Sequence, residues 1–449
     1  VLPLSALGFI RFDVEDFLTP ESDEALVRMI ASMHRAGLPG SYGLVGKKVL
    51  ALKERGRLDA LELLRSERAI GFHSWSHSEH PTLAEELCQL PYEDGVRRFI
   101  DRERPGVEAV TRLVKPPRYF TQPGGNWVPE ALEALPALGM NVFFTDSFNS
   151  YIEDLTAPYW LGEVLHLSFP VVNPRPFGLG LPGNLNKAVK LVEEWQERTG
   201  DAFMVMLHPT ELVSREFWDA ANFSRGRVPE RLKPAPLRTR DEQEQALKAF
   251  DDYCQAMSRL AIEWCDAETL ASRIAPREPI RVNIAELARA VRQQGLGPME
   301  LTTGTLSAAE ALYALARGLV TGRDAMDVGY IGAPEHWQEA VSPIVTTSQD
   351  RARTFAFGVV KAVDATGRLP SEPTAGLTLE AGVSALIGKP VGRLRFLDYI
   401  KPQKRLHWDW PIFPDPFRPV RLWQDARRLG WTMKRAQFRD ELRNNGKEA

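Results

Sequence analysis

The chain has 449 residues, 44% of them apolar, and a formal net charge of -3. That length suits two or three domains with large cores, and the near-neutral balance, without any RNA- or DNA-binding motif, argues against a nucleic-acid partner. Cys88, Cys254 and Cys265 are too few and too scattered for a disulfide framework or a thiolate metal site, and no apolar run reaches the roughly eighteen residues of a membrane span.

Short apolar runs at 7–13, 41–45, 69–73, 117–122, 141–145, 164–169, 202–208 and 260–264 read as strands. Between them, 23–37, 92–113, 128–138, 184–199 and 241–258 carry apolar residues at three- and four-residue spacing and read as amphipathic helices. Strand-helix alternation implies a parallel sheet or barrel. Pro276-Arg277-Glu278-Pro279 reads as a linker that closes a first domain at residues 1–275.

Residues 276–400 read as a mainly helical accessory domain with an internal repeat. Ala290–Gly295 lies over Ala362–Gly367, and the copies meet again at Ser307 with Thr378 and Leu312 with Val383. Each copy reads helix, glycine turn, extended loop, helix, and two such pairs bury their apolar faces on one another. Residues 401–449 form a third segment, His407-Trp408-Asp409-Trp410-Pro411 with Pro414, Pro416 and Pro419 and then a basic helical stretch over Leu422–Arg443, whose tryptophans imply packing across another domain.

The chemistry gathers at two strand ends. The first strand runs into Asp13-Val14-Glu15-Asp16, and Ala69–Phe72 runs into His73-Ser74-Trp75-Ser76-His77. Parallel α/β folds bind ligands at the carboxyl ends of their strands, so these two ends share one crevice. Two imidazoles and a carboxylate leave open positions on a divalent ion, as catalytic sites do. Three acids buried together without a cation would repel one another. Residues two apart on a strand face the same side, which pairs Asp13 with Glu15 and leaves Asp16 as the alternative ligand to Glu15.

Gly71–His77 resembles the H-[ST]-x-x-H metal motif of the polysaccharide deacetylase family, carbohydrate esterase family 4, and Asp13–Asp16 resembles its first motif. Pro123–Trp127, Phe144–Ser147 and Met206–Pro209 resemble the third, fourth and fifth motifs in the family's order, so the resemblance covers residues 1–275. It implies a distorted (β/α)7-type barrel with the motifs at one rim. It further implies Asp13 as catalytic base, His208 as catalytic acid, and Glu15, His73 and His77 as ligands of a divalent metal. Zinc suits those donors, with cobalt, nickel or iron fitting the same set. The implied reaction removes acetyl groups from a glycan or cell-wall polysaccharide, using a water that the metal activates, and many such enzymes act outside the cytoplasm. The chain begins at Val1, which leaves room for a removed leader.

One position departs from that pattern. Where the family's third motif begins with an arginine that hydrogen-bonds the catalytic carboxylate, this chain has Thr121, with Arg118 three residues earlier. Arg118, Thr121 and Asp146 are expected at the substrate side. Trp75, Trp127, Phe148 and Tyr151 are candidates either for a sugar-binding wall or for the core, whereas core or surface roles suit His80 and His166. A carbohydrate-binding pseudoenzyme and a non-sugar amidohydrolase on the same barrel are the other functional readings. In the accessory domain, Gly367-Arg368-Leu369-Pro370 is similar to cell-wall-binding repeats of the pseudomurein type, the other reading being a plain helical unit.

Overall fold

The computed structural model describes residues 6–146, 151–153, 158–172, 185–196, 202–337, 339, 348–372, 374–391, 394–406 and 410–439. Phe148 lies outside them.

Among the described residues, eleven strands form the central sheet: β1 (Leu7–Val14), β2 (Ser41–Leu44), β3 (Ala69–Phe72), β4 (Tyr119–Thr121), β5 (Val142–Asp146), β6 (Tyr159–Leu161), β7 (Val164–Phe169), β8 (Val171–Val172), β9 (Ala202–Leu207), β10 (Glu263–Cys265) and, late in the chain, Lys434–Arg435. Strands β1 to β5 pair in parallel with their sequence neighbours, and β5 pairs in parallel with β7. The chain then passes through Pro170 into β8, which pairs with β9, and β9 pairs with β1. Pairing therefore returns to its starting strand after seven positions, which is the expected (β/α)7-type barrel. All eight expected strands are present. The short ones that the apolar pattern did not reveal are β6, antiparallel to β7, β8, and Lys434–Arg435.

The period of two along β1 sorts its side chains. Ile10, Phe12 and Val14 pack outward with the helices Glu21–Ala36 and Arg240–Met257, while Phe9 packs with Tyr119, Phe144, Phe169 and Met204 of other strands. Arg11 and Asp13 share the parity of Phe9 and are buried. Gly71 has the same parity on β3, and a Cβ there would stand 2.2 Å from the Tyr119 ring, so only glycine leaves that ring its place.

The helix Tyr92–Leu113 keeps its course through Pro105 and crosses Gly46–Glu54 closely because Gly106 and Gly46 meet there. Beyond the barrel, the helices Ile284–Gln294, Ala308–Thr321, Gln349–Thr366 and Leu379–Ile387 pack with two small antiparallel strand pairs. The repeat has a local cause. Gly295 and Gly367 end the first helix of each copy with positive φ, and the Ser307 and Thr378 hydroxyls cap the second. Gly367–Leu369 faces inward: Gly332 pairs with it, Arg368 bonds Glu133 of the barrel at 2.6 and 3.1 Å, and Leu369 is buried. The C-terminal part rejoins the sheet, Lys434–Arg435 pairing antiparallel with β6.

Candidate metal centre and active site

Four strand ends supply the site. Asp13 is the penultimate residue of β1 and Glu15 follows its end; His73 follows β3, Thr121 closes β4, and His208 follows β9. Glu15 Oε2 lies 2.7 Å from His77 Nε2 and 3.3 Å from His73 Nε2. Two ligands on a tetrahedral zinc with bonds of about 2.0–2.1 Å stand roughly 3.3 Å apart; the His73 distance matches that spacing, the His77 distance is that of a direct hydrogen bond, and the three groups form a candidate donor set for a divalent ion.

The orientation of each donor supports the same conclusion. His73 Nδ1 is 3.0 Å from the Thr121 carbonyl oxygen and 2.7 Å from Thr121 Oγ1. His77 Nδ1 bonds Ser78 Oγ, which donates to Asp219 Oδ2 at 3.1 Å. With both Nδ1 atoms occupied, both Nε2 atoms are presented to one point. Trp218 Nε1 donates to Glu15 Oε1 at 2.9 Å and leaves Oε2 for the ion. Gly43 makes the room, because a Cβ there would stand 2.4 Å from Thr121 Oγ1 and 3.5 Å from Asp13 Oδ1. The fit therefore rests on two imidazoles and one carboxylate, each with a partner behind it.

The loop that carries the histidines is strained and tightly held. Ser74 and His77 sit at φ 69 and 54, left-handed conformations that cost non-glycine residues on the order of 1–3 kcal/mol each. Ser74 O accepts from Gly46 N, Trp75 O accepts from Lys47 N, and Trp75 N donates to Glu103 Oε2 at 2.6 Å.

Asp13 stands between the histidine pair and His208. Its Oδ2 is 3.7 Å from His73 Nε2 and 3.6 Å from His208 Nε2. Arg11 grips both of its oxygens, Nε to Oδ1 at 2.6 Å and Nη2 to Oδ2 at 2.7 Å, and Nη2 also reaches the Gln122 carbonyl at 3.3 Å. Burial alone would raise the Asp13 pKa, but Arg11, His73 and His208 together overcome it and hold the carboxyl well below the usual carboxylate range. Glu15 is likewise held low against burial, chiefly by His77. Burial disfavours the charged form of His208, yet the Glu211 and Asp13 carboxylates raise it well above an ordinary histidine. His208 is the most accessible of the five, its side chain 11% exposed against 4% or less for the others.

Of the residues singled out in sequence, the structure brings together Asp13, Glu15, His73, His77 and His208. Asp16 turns away. Its Oδ1 accepts from Leu18 N and Thr19 N, and its Oδ2 accepts from Thr210 Oγ1 at 2.6 Å, so it ties down the chain after β1. Arg118 is exposed and precedes β4, at the end opposite Thr121 and near Glu268, so the charge partner of Asp13 is Arg11 instead. Thr121 is fully buried behind His73 and does not face a substrate. Trp75 fills the crossing between Gly46 and Gly106, and Trp127 is buried against Phe143, Tyr151 and His166. Trp127 is core, whereas Trp75 packs on Gly46 and keeps partial exposure. Asp146 ends β5 at the same rim; its side chain is outside what the structure describes. Burial lowers the His166 pKa to about 3, and His80 is held between Glu85 and the Phe223 carbonyl.

Sequence reasoning missed Arg11, Trp218 and Asp219. Arg11 carried a readable signal: a cation inside an apolar strand, on the same face as an acid two residues on, is costly unless paired. Trp218 and Asp219 belong to the helix Trp218–Phe223, and no local pattern links them to residues far earlier in the chain.

No sequence-family model matches the chain, and no curated protein matches it. Among solved structures, it is similar to a protein of Mycobacterium smegmatis solved as a candidate polysaccharide deacetylase, at 14% identity and TM-score 0.40 over 61% of this chain and 93% of that one. BA3943, a CE4-family pseudoenzyme from Bacillus anthracis, is similar at 12% identity and TM-score 0.35 over 60% and 66%. A mutant of the Bacillus subtilis peptidoglycan deacetylase PdaC is similar at 13% identity and TM-score 0.33 over 61% and 93%. These neighbours are polysaccharide deacetylases and a pseudoenzyme of the same family, all at low sequence identity.

Proposed function

We propose that the chain is a metal-dependent hydrolase that removes acetyl groups, N- or O-linked, from a polysaccharide or cell-wall glycan. The observation that carries this reading is the place of Asp13, with one oxygen 3.7 Å from His73 Nε2 and 3.6 Å from His208 Nε2. One carboxylate thus stands between the donors suited to a cation and the histidine nearest solvent.

When bound, a divalent ion, zinc by donor type with cobalt, nickel or iron as alternatives, supplies a water acidic enough to ionise near neutral pH. Asp13 accepts the proton of the attacking water, and Arg11 fixes the carboxylate in orientation. His208 donates a proton to the departing nitrogen or oxygen, while Glu211, 3.5 Å from its Nδ1, holds the ring and its charge. The products are acetate and a free amino or hydroxyl group on the sugar. We assign this chemistry to residues 1–275, an accessory role to the helical residues 276–400, and a packing role to 401–449.

The test is metal analysis of the purified protein together with acetate release from N-acetylated chito-oligosaccharides and O-acetylated glycans. Release by the wild type, abolished in His208→Ala with metal retained, is the expected result. Bound metal without release from any acetylated sugar would favour a carbohydrate-binding pseudoenzyme. That second reading draws on Thr121, which stands at the motif position of the arginine and bonds His73 instead of Asp13. Absence of metal would point to a non-sugar amidohydrolase or to binding alone.

A further inference from the structure

The C-terminal segment returns to the barrel rim at the metal-ligand histidines. Arg225 N and Gly226 N donate to the carbonyls of Pro411 and Ile412 at 2.9 and 2.8 Å. Ile412 is fully buried in a cluster with Phe17, Trp218 and Phe223. These contacts fasten the backbone immediately after Trp410 and so fix where its indole sits. The indole lies over Gly124, where a Cβ would stand 2.5 Å from the ring and where φ is +48. It meets the His77 imidazole at 5.5 Å with the planes 87° apart.

Trp218, the other indole against His77, is fully buried and spends its N–H on Glu15. Trp410 is only half-buried, so it keeps exposure at the edge of the site. On the other side, the half-buried Phe217 stands perpendicular to His208 at 5.1 Å. Each of these two histidines thus carries a partly buried aromatic side chain against it, Trp410 on His77 and Phe217 on His208, the former from outside the barrel.

We propose that the C-terminal segment completes the substrate site and that Trp410 is a substrate-contacting residue, its free indole surface packing on the apolar face of the sugar that carries the acetyl group. A flat amphipathic ring offers a large contact area at small conformational cost, which suits a pyranose face. This rests on the deacetylase reading of the same site. It adds that residues 1–275 are an incomplete enzyme, because one wall is supplied from residue 410.

The experiment compares full-length wild type, Trp410→Ala and Trp410→Phe. Three quantities are read: acetate release from tetra-N-acetylchitotetraose, calorimetric binding of the same oligosaccharide to each protein in a His208→Ala background, and zinc content. The inference expects Trp410→Ala to raise KM, and to weaken binding, by about tenfold or more, with kcat within about threefold and zinc unchanged. Trp410→Phe keeps most of the ring and stays within about threefold of wild type. Unchanged KM and binding in Trp410→Ala, or loss of zinc, overturns the inference while wild-type release upholds the deacetylase reading. Binding without release leaves Trp410 to be judged by the binding arm, and the deacetylase reading to be judged on the N- and O-acetylated glycans together. Neither binding nor release of the oligosaccharide overturns the inference for Trp410, and absence of release from every acetylated glycan overturns the deacetylase reading as well. If Trp410→Ala does not fold, Trp410→Leu, flat surface lost but bulk kept, is judged by the same limits.

Discussion

Arg11 and Asp13, two residues apart on one strand and both facing the barrel interior, form a two-pronged ion pair at 2.6 and 2.7 Å with almost no exposure. The strand period places the guanidinium one step deeper than the carboxylate, so the cation approaches from below and leaves the rim of Asp13 toward His73 and His208. A cation borrowed from a neighbouring strand is unnecessary, which explains how the site accommodates Thr121.

Arg11→Met leaves a carboxylate buried without its partner, and stability is expected to fall by about 3–5 kcal/mol in urea unfolding at neutral pH. Arg11→Lys keeps the charge but not the two parallel N–H donors, and falls between Met and wild type. An Arg11→Met protein as stable as the parent would contradict the pair's role.

Glu15 and Asp16 are neighbours with different duties, and conservative substitutions separate them. Glu15→Gln is expected to lower zinc affinity by at least about tenfold in competition with a chromophoric chelator, because it removes the oxygen shared by His73 and His77. Asp16→Asn retains zinc but loses about 1–3 kcal/mol of stability, since its carboxylate accepts three hydrogen bonds after β1. Trp218→Phe, which deletes the donor to Glu15 Oε1, weakens zinc binding with the fold intact. Zinc loss in Asp16→Asn with retention in Glu15→Gln would reverse the assignment.

Much of this arrangement was legible in sequence because it is periodic or local. Eight strands announced themselves as short apolar runs, the alternation along β1 paired Asp13 with Glu15, and the glycine and hydroxyl caps marked the repeat. Local pattern does not carry what depends on chain reversal. In sequence, Trp127 is open between a sugar-binding wall and the core, and Phe143, Tyr151 and His166 from other segments make it core. Trp410 reaches His77 from more than three hundred residues away through backbone contacts to Arg225 and Gly226. Arg11 was readable, but parity was applied to the acids and not to the cation beside them.

Gly43 sits where the site is tightest. In Gly43→Ala the new methyl would meet Thr121 Oγ1 at 2.4 Å, and Thr121 is the group that sets the His73 ring. The expected outcome is a loss of about 1–3 kcal/mol from overpacking together with weaker zinc binding. Unfolding that loses stability while zinc affinity is untouched would show that Thr121 does not orient His73.

Glu103 supplies a pH dependence remote from Asp13 and His208. Its carboxyl is fully buried on the helix Tyr92–Leu113 and accepts the Trp75 N–H at 2.6 Å, between His73 and His77 in sequence. Burial pushes its pKa up to about 7 from an ordinary 4.5, Arg102 opposing only in part. Glu130, buried beside Arg421, is raised to about 7 by the same cause. The folded state then holds protons that the unfolded chain has already released. The stabilising contribution is complete below the unfolded pKa of 4.5 and is lost as pH rises through about 7. Glu103→Gln keeps an acceptor for Trp75 and cannot ionise, so its stability relative to wild type should improve between pH 5 and pH 8 on an order-of-magnitude scale of 1–3 kcal/mol. Parallel stability curves for the two proteins across that range would mean that Glu103 titrates as an ordinary carboxylate and that its hold on the histidine loop is independent of charge.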